Sequence, residues 1–134
     1  MALTALILDT SAYALFMRGH EAAQTVIQTT PNILLPTVVL GELLGGFAAG
    51  TRQQQNEKEL ETFRQSPRVR VVPMTAETAV RYAAIYAYLR SIGHPIPTND
   101  LWIAATAMEH SATLLTADRH FHYVTQILCH FLSV

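Results

Sequence analysis

Short apolar runs alternate with longer amphipathic stretches along the chain. The first run, residues 3–8, carries no charge, which is typical of a strand buried on both faces of a sheet. The apolar runs predict strands at residues 3–8, 33–35, 69–72 and 113–116, and a fifth at 127–132. The amphipathic stretches predict helices at residues 12–17, 20–30, 37–50, 51–65, 75–91 and 99–110, and a short one at 118–125. Thr37 is expected to cap the third of these helices.

This alternation predicts a single α/β domain over residues 1–134. Strands separated by helices form parallel sheets with right-handed crossovers, and 134 residues is an ordinary size for one domain. Half of the residues are hydrophobic and 14% are charged, where about 25% is usual. This composition excludes a disordered protein, a coiled coil and a basic, histone-like protein.

Charge and cysteine content narrow the choice of partners and compartment. The net charge is −1, which argues against a high-affinity, non-specific nucleic-acid binder but allows a local basic patch or a bound cation. The single cysteine, Cys129, excludes an internal disulfide, is expected to be buried and fits a reducing cytoplasm. The first residues lack the pattern of a secretory signal. Residues 33–50 are interrupted by Pro36 and Glu42, so no membrane association is expected.

The few acidic residues fall at informative places. Only three aspartates are present: Asp9 directly follows the first predicted strand, and Asp118 lies two residues beyond the end of the fourth. The carboxyl ends of parallel strands meet at one edge of a sheet, where ligands bind in open α/β folds. Asp100 opens a helix after a proline-rich loop and can face the same edge. Glu42 shares a helix face with Val38, Val39 and Gly46, the face expected to be buried.

Several carboxylates in one cleft indicate a cation site. A buried carboxylate is unfavourable unless it is paired or bound to a metal, and neighbouring carboxylates repel each other. Because the candidate ligands are all oxygens, Mg²⁺ or Mn²⁺ is expected rather than Zn²⁺. Such a cluster suits phosphodiester hydrolysis, in which the metal activates water and stabilises charge on the phosphate.

Simpler interpretations of these residues stay open. Asp9 and Asp100 could be helix N-caps and Asp118 could begin a turn, although capping does not explain Glu42. The segment at 118–122, DRHFH, could suggest a transition-metal site. His120 and His122 do not share a face of an α-helix, so they are interpreted as surface histidines.

Four segments together resemble the PIN domain, and in particular the VapC-type toxin ribonucleases of toxin–antitoxin pairs. They are residues 6–13 (LILDTSAY), 38–46 (VVLGELLGG), 99–110 (NDLWIAATAMEH) and 114–121 (LLTADRHF), in the order and spacing of the family. The resemblance implies a three-layer α/β/α fold with a parallel sheet of about five strands in the order 3-2-1-4-5. It also implies endonucleolytic cleavage of RNA at an acidic pocket holding one or two Mg²⁺ or Mn²⁺ ions. The last strand departs from the usual family ending, which leaves its pairing open.

The resemblance also assigns individual positions. The acidic positions of the family, catalytic and metal-binding, fall on Asp9, Glu42, Asp100 and Asp118. The hydroxyl positions beside them fall on Ser11 and Thr116, which are expected to hydrogen-bond the carboxylates. Three arginines are candidates for contacts with RNA phosphate: Arg18, Arg52 and Arg119.

Partners follow from the same resemblance. VapC-like proteins are typically homodimers, and a small VapB-like antitoxin holds them inactive by lying in a groove near the site. Four apolar residues could line that groove or simply belong to the core: Leu15, Phe16, Leu43 and Phe47. The rival hypothesis is a non-catalytic PIN-fold module that binds protein or RNA through the same pocket.

Overall fold

The computed structural model describes residues 3–134 and contains the predicted alternation of strands and helices. The strands are β1 (Ala5–Leu8), β2 (Asn32–Pro36), β3 (Val69–Val72), β4 (Thr113–Thr116) and β5 (Cys129–Phe131). The helices are α1 (Thr10–Met17), α2 (Glu21–Thr29), α3 (Thr37–Ala49), α4 (Gln53–Arg64), α5 (Ala76–Ser91) and α6 (Thr98–His110). A 3-10 helix at Arg119–Tyr123 replaces the longer helix predicted at 118–125. None of these helices is both long and apolar enough to span a membrane.

The strands form one parallel sheet in the order β3-β2-β1-β4-β5. This confirms the fold class and the order 3-2-1-4-5. The C-terminal strand pairs with β4, with Leu114 opposite Cys129 and Thr116 opposite Phe131. It is shorter than predicted, although backbone bonds at Leu128 and Leu132 extend its contact with β4 by one residue at each end.

The core lies on both faces of the central strands. Leu6, Ile7 and Leu8 of β1 are each fully buried, as are Leu114 and Leu115 of β4. Because successive side chains of a strand point to opposite faces, helices must cover the sheet on both sides. The uninterrupted apolar run that predicted β1 reflects this double burial.

Three local predictions were wrong or only partly right. Pro36, not Thr37, is the N-cap of α3, and the Thr37 hydroxyl instead donates to the Val72 carbonyl at 3.1 Å. Gly46 is exposed and Glu42 is only half-buried, so this helix face is less buried than predicted. Cys129 is only half-buried, and burial together with the negative charge of Asp9 raises its thiol pKa to about 11.

Candidate active site

Asp9 is fixed at the carboxyl end of β1. It is the N-cap of α1, and its Oδ1 accepts hydrogen bonds from the Ala12 backbone N–H at 2.9 Å and the Ser11 hydroxyl at 2.7 Å. Its Oδ2 accepts a short hydrogen bond from the Thr116 hydroxyl. The residue is only 4% exposed. The capping interpretation of Asp9 is therefore correct, but three donors on one buried carboxylate exceed what a cap requires.

Ser11 and Thr116 join the ends of β1 and β4. The Thr116 hydroxyl accepts from the backbone N–H of Asp118 at 2.9 Å, and the Ser11 hydroxyl accepts from that of Ala117 at 3.0 Å. Their hydroxyl oxygens are 3.5 Å apart. The structure thus places both hydroxyls beside Asp9, where the sequence predicted them.

Glu42 is carried on α3 and lies half-buried between two other helices. Its Oε1 accepts from the Thr10 hydroxyl at 2.6 Å, and its Oε2 accepts from the Asn99 side-chain amide at 3.2 Å. Thr10 begins α1 and Asn99 lies in the first turn of α6. These bonds turn Glu42 towards the carboxyl edge of the sheet. Asn99 was not predicted as part of this arrangement.

The imidazole ring of His120 contacts both Asp100 and Asp118. The His120 Nδ1 lies 3.2 Å from Asp100 Oδ2 and 3.1 Å from Asp118 Oδ1. One ligand atom from each of the three residues falls within 4.8 Å of the others, which is compatible with a shared metal ion. His120 is a surface histidine, as predicted, but its contacts with the site carboxylates were not expected.

The sequence next to His120 contains a local indication of where its side chain lies. Asp118 caps the 3-10 helix, and its Oδ1 also accepts from the His120 backbone N–H at 2.9 Å. Such a cap folds the second following residue back onto the carboxylate. Spacing on an α-helix, the criterion used for the two histidines, does not apply to this turn.

The four predicted carboxylates line one cavity of about 430 Å³. Its wall contains Asp9, Ser11, Arg18, Glu42, Asp100 and Asp118, together with Leu15 and other residues. Asp118 also acts as a cap, whereas Asp100 is the third residue of α6 and its side chain caps no helix. The N-cap alternative is therefore wrong for Asp100.

Burial and mutual repulsion make the cavity a poor place for negative charge. Burial raises the pKa of Asp9 despite the hydrogen bonds from Thr116, Ser11 and Ala12, and the charge of Asp118 adds to this. The pKa of Asp100 is also raised by burial, and by Asp118 and Glu42, while His120 opposes the rise. A cation would relieve both effects.

The donor set fits a divalent cation that prefers oxygen. The cavity offers carboxylate and hydroxyl oxygens, which suit Mg²⁺ or Mn²⁺, and His120 adds an imidazole nitrogen beside Asp100 and Asp118. The nearest permanent positive charge in its wall is Arg18. Arg119 is exposed on the neighbouring surface, with its guanidinium 5.1 Å from the centre of the Phe131 ring.

A second groove of about 290 Å³ adjoins the carboxylate cavity and shares Arg18 with it. Its wall is formed by Tyr13, Ala14, Met17, Arg18, Leu43, Phe47, Arg52, Asn56 and Glu59. Leu43 and Phe47 thus line a groove near the site, although Leu43 is only 5% exposed and belongs to the core as well. Leu15 instead faces the carboxylate cavity, and Phe16 packs on Phe63 with ring centres 5.6 Å apart.

The fold and the cavity together define a parallel α/β protein with an acidic cavity at the carboxyl edge of its sheet. Residues 6–126 match the family model described as PIN domain, and the chain belongs to the PIN-domain family.

The chain is also similar to individual proteins that are named as VapC ribonucleases. The chain is 28% identical to Ribonuclease VapC5 of Mycobacterium tuberculosis over 86% of this chain and 84% of that protein. It is 27% identical to Ribonuclease VapC1 of Haemophilus influenzae over 90% and 92%, respectively. The structure of VapBC-1 from nontypeable Haemophilus influenzae superposes with a TM-score of 0.81 and 26% identity, covering 96% of this chain and 98% of that one. The resemblance to VapC-type proteins is thereby confirmed.

Proposed function

We propose that this protein is a Mg²⁺- or Mn²⁺-dependent endoribonuclease acting as the toxin of a toxin–antitoxin pair. The observation that carries the proposal is that Asp9, Glu42, Asp100 and Asp118 all line one cavity. Among the described residues, Asp100, Asp118 and His120 each bring one ligand atom within 4.8 Å of the others. The raised pKa values of Asp9 and Asp100 support it, because they indicate a site that lacks positive charge. The relatives named as ribonucleases supply the reaction class.

The four carboxylates would have different roles at the site. Asp9 is held rigidly by three donors, and Glu42 is held by Thr10 and Asn99, so both present fixed oxygens. Asp100 and Asp118 lie nearer to solvent. When bound among these carboxylates, one or two divalent ions would lower the pKa of an attacking water and stabilise the charge that develops on the phosphate.

Arginine side chains would hold the substrate. Arg18 lines both the carboxylate cavity and the adjoining groove, Arg52 lies farther along that groove, and Arg119 borders the other side of the site. Arginine keeps its charge and offers a planar fork suited to phosphate. Since the net charge is −1, we expect RNA binding to be weak without a bound cation.

The groove beside the site is the proposed position of a VapB-like antitoxin. Leu43 and Phe47 give it an apolar wall, while Arg52 and Glu59 give it charges of both signs. We also propose a homodimer and a cytoplasmic location, where the Cys129 thiol would stay reduced.

Cleavage of RNA tests the proposed activity. Purified protein is incubated with RNA in Mg²⁺, in Mn²⁺ and in EDTA, alongside Asp9→Asn. All three aspartates line the cavity, so the matched control is Glu61→Gln, at an exposed position of α4. Cleavage is expected in the presence of metal for the wild type and Glu61→Gln. Activity that survives both EDTA and Asp9→Asn would refute the metal mechanism. No cleavage under any condition would favour the non-catalytic binding module.

A further inference from the structure

His120 forms the one imidazole contact between two of the site carboxylates in the part of the chain that the structure describes. We propose that His120 is a nitrogen ligand of the cation held by Asp100 and Asp118, and that it makes this site favour Mn²⁺ over Mg²⁺. The inference rests on the proposed metal site, and it adds a ligand to the four acidic residues that the family resemblance assigned.

Local chain geometry explains only part of the His120 position. The capping turn alone accounts for its contact with Asp118, because the backbone N–H of His120 bonds the same Oδ1 at 2.9 Å. It does not account for Asp100, which lies 20 residues earlier, on α6. The ring is therefore placed by tertiary structure at a point where two separate elements each present a carboxylate.

The distances agree with those between ligands of one ion. Neighbouring ligands of an octahedral ion with bonds of 2.0–2.1 Å lie about 3 Å apart. The His120 Nδ1 is 3.2 Å from Asp100 Oδ2 and 3.1 Å from Asp118 Oδ1. An ion bound to all three atoms would therefore need little rearrangement of the ring.

An imidazole in the ligand set affects the choice of metal. Mg²⁺ takes oxygen ligands and loses its water reluctantly, whereas first-row transition ions accept nitrogen readily. A site made only of carboxylates would discriminate little between Mg²⁺ and Mn²⁺. With His120 among the ligands, the advantage of Mn²⁺ should depend on that side chain.

His122 provides a matched control on the same 3-10 helix. Its ring is exposed and contacts the rings of Tyr123 and Phe131, at 5.7 Å and 6.3 Å between centres. It has no contact with Asp100 or Asp118 among the hydrogen bonds and ion pairs of residues 3–134. His122→Ala therefore removes an exposed histidine of the same element without changing the proposed ligand set.

Metal binding by the full chain tests the inference without relying on activity. The probe is Mn²⁺: its affinity is measured from the loss of the free-ion EPR signal, and Mg²⁺ affinity is measured by displacement. We expect His120→Ala to weaken Mn²⁺ binding about tenfold and Mg²⁺ binding by less than about threefold. His122→Ala should match the wild type. Pulsed EPR of bound Mn²⁺ should show coupling to a ¹⁴N nucleus that is lost only in His120→Ala, with unchanged circular dichroism in both variants.

Several outcomes would overturn the inference. Bound Mn²⁺ without ¹⁴N coupling in the wild type would show that the imidazole does not coordinate. Tighter binding of both ions by His120→Ala would mean that the ring occupies the metal position and has to be displaced. Absence of Mn²⁺ binding at millimolar concentration would also contradict it. RNA cleavage is measured separately, so a wild type that binds Mn²⁺ through His120 but cuts no RNA would refute the proposed function alone.

Discussion

Replacing Thr116 with valine tests whether the hydroxyl network at the end of β4 holds the Asp9 carboxylate. Thr116 is fully buried, and valine keeps the size and β-branched shape that suit a strand. The change removes the donor to Asp9 Oδ2 and the acceptor of the Asp118 N–H. It therefore isolates hydrogen bonding from packing at this position.

The expected loss follows from these two bonds. A hydrogen bond to a charged group contributes ~1.5–3 kcal/mol, and a buried N–H left without a partner costs ~1–3 kcal/mol. Asp118 is only partly buried, so its N–H can recover some of this from water. We expect the free energy of unfolding to fall by about 3 kcal/mol in metal-free protein at neutral pH. Thr116→Ser keeps the hydroxyl and loses one methyl group, for about 1 kcal/mol.

The difference between the two variants should depend on pH. Burial already raises the pKa of Asp9 above its usual value of 3.8, and the Thr116 bond is the strongest influence opposing that rise. In Thr116→Val the pKa of Asp9 therefore rises further. Above this pKa the carboxylate is charged and short of a donor, so the valine variant suffers most. As pH falls through the pKa, protonation removes the charge and the gap from Thr116→Ser narrows.

Urea unfolding in EDTA, followed by circular dichroism at pH 7.5 and pH 5, measures this gap. Equal losses of stability in Thr116→Val and Thr116→Ser, unchanged between the two pH values, would refute the argument. That result would mean that the Asp9 carboxylate does not depend on the hydroxyl. RNA cleavage should also be lost in the valine variant and retained in the serine variant.

Two further predictions concern the metal and Glu42. Mg²⁺ at 100 times its dissociation constant should stabilise the wild type by about 2.7 kcal/mol, measured by thermal unfolding. If the Mg²⁺ concentration is fixed from the dissociation constant at pH 7.5, the effect should be smaller at pH 5.5, because protons compete with metal at carboxylates whose pKa is raised. It should largely disappear in Asp9→Asn. Asn99→Ala removes the 3.2 Å bond to Glu42 at an exposed position. It should lower kcat for RNA cleavage while changing unfolding free energy by less than about 1 kcal/mol; unchanged kcat would contradict a positioning role for Asn99.

The sheet was predictable because its determinants are local. The central strands are short, largely apolar runs between polar segments, and the runs at β1 and β4 reflect burial on both faces. The strand order came from the family resemblance, since periodicity alone does not specify which parallel strands are neighbours. The ends of elements were less predictable. Thr37 looks like a helix cap in sequence, yet its hydroxyl bonds the end of β3 instead, a contact that depends on the assembled sheet.

Asp9 and Asp118 were found because they follow strands, whereas Glu42 and Asp100 lie on helices and were assigned by the family resemblance. The His120 contacts were missed because they depend on a capping turn. Asp9 and Asp118 occupy positions that every parallel sheet brings to one edge. His120 reaches them only because the chain after β4 forms a 3-10 helix rather than an α-helix. Sequence spacing shows which side chains share a helix face only when the type of helix is known. A segment of five residues is too short for its sequence to distinguish a 3-10 helix from an α-helix.

One side of the site is buried and held by hydrogen bonds, and the other side is exposed to solvent. Asp9 is buried and its two oxygens receive three donors, whereas the side chains of Asp100, Asp118 and His120 are 16%, 35% and 56% exposed. On the buried side, Asp9 carries the unfavourable charge, and the hydrogen bonds from the sheet and α1 hold its carboxylate in place. A cation or a phosphate can approach only from the exposed side, where the ligands are freer to adjust. Rigid placement of Asp9 by the fold and adaptable ligation by Asp100, Asp118 and His120 would therefore be complementary requirements of the metal site that we propose.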